Sequence, residues 1–257
     1  MFHYLPIFLL ALFVGQSVQQ PVNSSKELHP GIRLEQSINA GRRHHYSIRL
    51  RQGDYTRVVV LQKGVDLVVT GLLPSGEKIV EMDSPNGTSG NEQVTLLADS
   101  AGVYGLEVSL LDQNAAGGSY ELTIDHVRPL VEADRRTAAA EKLFAEATAL
   151  NASGNERALE VYTNAAREAR AGRDRLLEAS SYFMCGVLYK RLGEHVRGVD
   201  ELEKAIEIYS QTASPHDEAK ALYEQGDGWR YSNVKDRQEK AIVCYERVAT
   251  LFEKVAD

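Results

Sequence analysis

Residues 185–205 read CGVLYKRLGEHVRGVDELEKA, and this stretch decides how the second half of the chain folds. It holds Gly198, Leu202 and Ala205 at one internal spacing, which returns as Ala158, Tyr162, Ala165 and again as Ala241, Tyr245, Val248. The three sets begin at residues 158, 198 and 241, so the steps are 40 and 43 residues. A second set, Ala147/Leu150, Gly186/Tyr189 and Gly226/Trp229, recurs at 39 and 40 residues. Small residues at fixed positions let two helices approach, and the large residue one turn away fills the space beside them. Two independent sets in one register predict a solenoid of three helical hairpins.

Moving toward the N-terminus, the period changes at Arg128-Pro129. Before it, apolar residues alternate: Tyr46, Ile48, Leu50; Val58, Val60; Leu67, Val69; Tyr104, Leu106, Val108, Leu110; Tyr120, Leu122, Ile124. Alternation puts one face of each strand on a core and the other in water. Turn residues stand at Gly53, Pro74 to Gly76, Pro85 to Gly87, Gly102 and Gly117-Gly118. The pattern predicts about eight strands in an antiparallel, jelly-roll-like β-sandwich. After the break Pro occurs past Pro129 only at Pro215, where Ser214-Pro215-His216-Asp217 has the form of a helix N-cap, an N1 proline and a capping acid.

The expected fold class is therefore multidomain β + α. Residues 1–20 are read as a signal peptide, 21–31 as a linker, 32–127 as the sandwich, and 128–257 as about three helical repeats, incomplete at the C-terminal side. The signal reading rests on the apolar run Leu5 to Val14, too short to span a bilayer, followed by Gly15-Gln16-Ser17. The stretch before the run lacks Lys or Arg, a departure from the usual signal pattern. The localisation implied is secreted or periplasmic, without stable membrane insertion.

A net charge of −7 supplies no basic face for phosphate backbones, so nucleic acid is excluded as the expected partner. Cys185 and Cys244 both fall inside apolar helical patterns, away from metal-ligand spacings. They read as small buried hydrophobes, with a disulfide left open as the alternative.

The motif Cys185-Gly186-x-x-Tyr189 followed by Gly198-x-x-x-Leu202-x-x-Ala205 resembles the tetratricopeptide (TPR) pattern. Gly226-x-x-Trp229 with Ala241-x-x-x-Tyr245 looks like a further repeat, and the set from Ala147 is degenerate. The sandwich resembles the bacterial pre-peptidase C-terminal type of β domain, through residues 64–69 (GVDLVV), 83–87 (DSPNG) and 101–108 (AGVYGLEV). Together the two are similar to the front of secreted bacterial proteins that end in a caspase-like CHAT domain. In such proteins protease chemistry belongs to that terminal domain, so the resemblance carries no catalytic residue onto this chain.

Read for chemistry, the chain lacks G-x-S-x-G, H-E-x-x-H, Walker A and G-x-G-x-x-G, so no enzyme activity and no cofactor is expected. His44-His45 lies on a strand, where neighbours point to opposite faces, and no metal site is assigned to it. Asp66, Asp83, Asn86 and Glu92 are read either as oxygen ligands for Ca²⁺ or as the residues that turns prefer. Cys185-Gly186 is read as a helix-packing position rather than a nucleophile.

The function expected is a non-catalytic, exported protein–protein interaction scaffold. The candidate peptide groove comprises Phe183, Val187, Lys190, Arg191, Tyr223, Asp227, Arg230 and Tyr231, whose aromatics and cations suit an extended peptide with acidic groups. The alternatives are the regulatory N-terminal part of a caspase-like CHAT peptidase and a carbohydrate-binding sandwich. Partners are a protein or peptide, an adjacent domain in a longer homologue, or a second copy through the last helix, where Ile242 and Val243 stand among the apolar residues. The change of period at Arg128-Pro129 further predicts two units that unfold independently.

Overall fold

A computed structural model describes residues 25–256. The signal-peptide reading of residues 1–20 lies outside the described residues, as do residues 21–24 of the linker. Among the described residues ten strands precede six helices. One sheet runs β1 (Lys26–Glu27), β3 (Arg43–Leu50), β8 (Gly102–Leu110), β5 (Leu67–Leu72), β6 (Lys78–Met82). The other runs β10 (Arg128–Pro129), β4 (Asp54–Lys63), β9 (Gly118–Ile124), β2 (Arg33–Ile38), with β7 (Ser89–Leu97) also pairing β4. Pairing is antiparallel except for β1, a two-residue strand parallel to β3.

The alternating residues meet between the sheets. Val58, Val60, Leu67, Val69, Val108 and Leu122 are fully buried, and Tyr46, Tyr104 and Tyr120 lie inside the same core. Two of these tyrosines stitch the layers: the Tyr46 hydroxyl on β3 pairs with the Tyr120 hydroxyl on β9 at 2.5 Å, and His44 Nδ1 reaches the latter at 2.6 Å. Burial and this mutual pairing leave the Tyr120 phenol harder to ionise than a free one. Gly71 sits at a register shift in β5, and a Cβ there would stand 2.9 Å from Val94 Cγ1, so only glycine fits without a shift of its neighbours.

The helices form three hairpins: α1 (Glu132–Ala152) with α2 (Arg157–Gly172), α3 (Arg175–Arg191) with α4 (His195–Gln211), and α5 (Pro215–Tyr231) with α6 (Arg237–Ala256). Successive hairpins stack through α2 on α3 and α4 on α5. The repeated small residues are where the backbones come closest. A Cβ on Gly186 would stand 2.6 Å from Leu202 Cγ and 2.9 Å from the Gly198 carbonyl. On Gly226 it would meet the Tyr245 ring at 2.5 Å. Cys185 is buried beside this crossing, its thiol pushed up to about 12 by burial, and Cys185 and Cys244 are both free. Pro215 opens α5 with Ser214 at the N-cap, but the Ser214 hydroxyl pairs with Thr212 instead of capping the backbone.

Where the period changes, the chain is pinned rather than loose. Arg128 and Pro129 pair with Tyr55 and Asp54 on β4. The Arg128 guanidinium lies 4.1 Å over the Tyr55 ring and donates twice to Asp134 in the first turn of α1. The apolar core runs on from the sandwich into α1, α2 and α3 without interruption. This joined core stands against the expectation of two independently unfolding units: α1 packs on β6 of one sheet and β7 of the other.

Candidate binding groove at the junction of sandwich and helices

Besides the Arg128–Asp134 pair, three further polar ties fix the helices to the sandwich. Glu141, buried in the middle of α1, accepts from the Thr95 amide at 2.8 Å and the Thr95 hydroxyl at 2.7 Å on β7. Asp174 caps α3 by accepting from the Leu177 amide, and its other oxygen accepts from Arg57 of β4 at 2.9 Å. Lys220 on α5 donates to the carbonyl of Pro85 in the loop between β6 and β7. That loop is held from within the sandwich by Gln62, whose side-chain amide donates to Asn86 Oδ1 at 2.6 Å and to the Gly87 carbonyl.

Burial raises several carboxylates around the junction. Glu141 is pushed up to about 7, even though Thr95 and Arg57 act against the shift. Glu92 is pushed up to about 8 by burial, against the Ser84 amide that donates to it, and Asp83 to about 6 by burial and then by Asp66. Asp217 at the start of α5 is raised by burial as well. Of the four side chains considered for Ca²⁺, Glu92 accepts from Ser84 and Asn86 from Gln62, whereas Asp66 Oδ1 is buried without a hydrogen-bond partner among the described residues. Among the described residues no three His, Cys, Asp or Glu converge to hold a metal ion.

Between these ties runs a groove in two connected parts. The inner part, about 320 Å³, lies over Leu177, Ser180 and Tyr209, with Ser84 to Asn86 on the sandwich wall and Ser214 to Asp217 on the helical wall. The outer part, about 380 Å³, is lined by Ala219, Lys220, Tyr223, Val248 and Phe252 opposite Thr88 and Ser89. Asn86 and His216 belong to both. The His216 and Phe252 rings meet edge to face, 6.0 Å apart, so the outer floor is aromatic. The inner part gathers Glu141, Asp174 and Asp217, and the Lys220 ammonium that acts on Asp217 is engaged by the Pro85 carbonyl.

Of the eight residues expected to form a peptide groove, only Tyr223 lines this one. Phe183 is buried, with Lys220 5.7 Å from its ring centroid, and Val187 packs partly buried in the same helical core. Lys190 donates to the Glu224 carboxylate at 2.6 Å and to its carbonyl, Arg191 to Asn151, and Asp227 accepts from the Tyr245 hydroxyl. Arg230 lies over the Tyr231 ring, and Tyr231 is exposed beside His195. His216, Tyr209, Lys220 and Phe252 carried no groove signal in the sequence, because their meeting depends on how the sandwich docks. The form of the Ser214 to Asp217 turn was the one local hint.

Compared with protein-family profiles and with curated protein sequences, the chain matches none. Among solved structures, it is similar to the pre-peptidase C-terminal domain of a collagenase from Bacillus anthracis. That likeness has 17% identity and a TM-score of 0.33, over 40% of this chain and 96% of that chain. It is similar, too, to PliG of Aeromonas hydrophila, a periplasmic inhibitor of g-type lysozyme, at 13% identity and a TM-score of 0.34, covering 40% of this chain and 96% of that one. The Salmonella Typhimurium PliG shows 19% identity and a TM-score of 0.30, with 41% and 100% covered.

Proposed function

We propose that this protein is a non-catalytic, exported interaction scaffold in which a tetratricopeptide-type array and a sandwich together hold a polypeptide segment. The junction groove is the observation that carries the reading. One wall is a loop fastened by Gln62, the other is the start of α5 fastened through Lys220, and an aromatic floor lies between them. A concave apolar site with a few placed polar groups is what a ligand requires, and rigid walls reduce the ordering cost of binding. Export rests on the apolar run Leu5 to Val14. Among the described residues no helix is long and apolar enough to cross a membrane.

The groove suits a segment that pairs an aromatic or aliphatic side chain with Lys or Arg. The first fills the space over Tyr223, Val248 and Phe252, and the second faces Asp217. This charge preference is opposite to the acidic peptide expected from Lys190 and Arg191, since both of those are already engaged within the array. Selection from a displayed random peptide library against the full chain, followed by fluorescence anisotropy, tests it. Enriched sequences are expected to combine the two residue types, and Tyr223→Ala and Asp217→Asn each to weaken them about tenfold. No enrichment, or binders indifferent to both substitutions, would overturn the reading.

A further inference from the structure

The repeat register says what covers each hairpin. On α2 the stripe Leu159, Thr163, Ala166, Arg170 rises at i, i+4, i+7, i+11 and faces α3. Cys185 of α3 stands 3.7 Å from the Thr163 hydroxyl and 3.9 Å from the Leu159 carbonyl, Ala166 is buried, and Arg170 donates to Glu178 at 2.9 Å. On α4 the same stripe is Val199, Glu203, Ile206, Ser210 and faces α5. Val199 Cγ2 lies 2.8 Å from where a Cβ on Gly228 would stand, the Glu203 carboxylate accepts from the Gln225 amide, and Ile206 is buried. Each stripe therefore closes on a helix through apolar residues flanked by polar pairs.

On α6 the equivalent stripe is Ile242, Glu246, Ala249, Glu253, and all four are exposed, with Val243 exposed beside them. We infer that this face docks an amphipathic α-helix of another protein, one with small apolar residues along its stripe and Lys or Arg on its flanks. The apolar part follows from continuity with the α2–α3 and α4–α5 seams. The basic part follows from the carboxylates: Glu246 and Glu253 occupy the positions where Thr163 and Glu203, and Arg170, find their partners. Among the described side chains, Arg247 is engaged with Glu218 and Lys240 lies over Trp229. A second copy fits this face poorly. An antiparallel pairing centred between Ala249 and Thr250 sets Glu246 of one copy against Glu253 of the other, in chains that each carry a charge of −7.

The face shares no residue with the junction groove, so each proposal stands or falls alone. Two labelled peptides of about 20 residues, helical Ala/Leu stripes flanked by lysines in one and glutamates in the other, are the probes. Fluorescence anisotropy with the full chain should show the lysine peptide binding at least about tenfold more tightly. The Glu246→Lys/Glu253→Lys double variant should reverse that order. Ile242→Asp, at an exposed position, should weaken the lysine peptide about tenfold with an unchanged melting curve, and Tyr223→Ala should leave it unaffected. Equal binding of the two peptides, binding of neither, or failure of the reversal would overturn the inference. So would a dimer in sedimentation that Ile242→Asp dissociates, which would assign the face to a second copy.

Discussion

The first and last hairpins are built on one pattern and live in different surroundings. Tyr162 on α2 is fully buried, edge-on to Phe144 with ring centroids 5.3 Å apart, its hydroxyl paired with Thr148. Its counterpart Tyr245 on α6 is only partly buried, beside the exposed Tyr223. On the middle hairpin Val199 is 3% exposed, and its counterpart Ile242 on the last is 53% exposed. The repeat sets which residues face inward within a hairpin, whereas the neighbour decides how much that burial contributes. At the first hairpin the neighbours are the sandwich and α3, and at the last the neighbouring hairpin packs through α4 on α5.

The comparison is broken most directly at the tyrosines. Tyr162→Ala is expected to cost about 4 kcal/mol, as for a large aromatic removed from a closed core, and Tyr245→Ala about half of that. Equal losses in chemical denaturation would mean that the two hairpins are equally sealed.

A smaller effect separates the ends by pH. Glu141 has a folded-state pKa of about 7, above its ordinary 4.5, because burial disfavours the charged form. The folded state therefore holds the proton more tightly than the unfolded one. The stability contributed by its protonation is fully present below about pH 4.5, falls as pH rises through 7, and is lost above it, at about 3 kcal/mol by linkage. Glu141→Gln should remove this component of the slope, and melting curves from pH 5 to 8 would show it. An unchanged slope would mean that Glu141 stays charged at the junction.

The smallest contrast is at the seam. Val199→Ala is expected to cost about 2 kcal/mol by opening a gap over Gly228, and Ile242→Ala less than about 0.5 kcal/mol. A large loss at Ile242 in the isolated chain would show that its face is already covered.

Much of this molecule could be read in one dimension. Alternation placed Tyr46, Val58, Leu67, Tyr104 and Tyr120 in the sandwich core, and the repeated Gly186 and Gly198 lie where α3 and α4 cross. Such signals are local: a period of two or of 3.6 fixes which face is apolar, and a small residue at a constant interval fixes where two backbones approach. The groove escaped that logic. Thr95 and Glu141, Arg57 and Asp174, and Pro85 and Lys220 lie 46, 117 and 135 residues apart. Nothing in the neighbourhood of any of them announces its partner. Lys190 and Asp227 likewise look like free groove charges in the sequence and are bonded within the array in the fold. Pattern along the chain located the main strands, the hairpins and the residues that face inward, but not the two-residue strands β1 and β10. Only the tertiary structure decided which of the remaining polar and aromatic side chains were left to meet a partner, because ion pairs and buried hydrogen bonds depend on distances in space that carry no period along the chain.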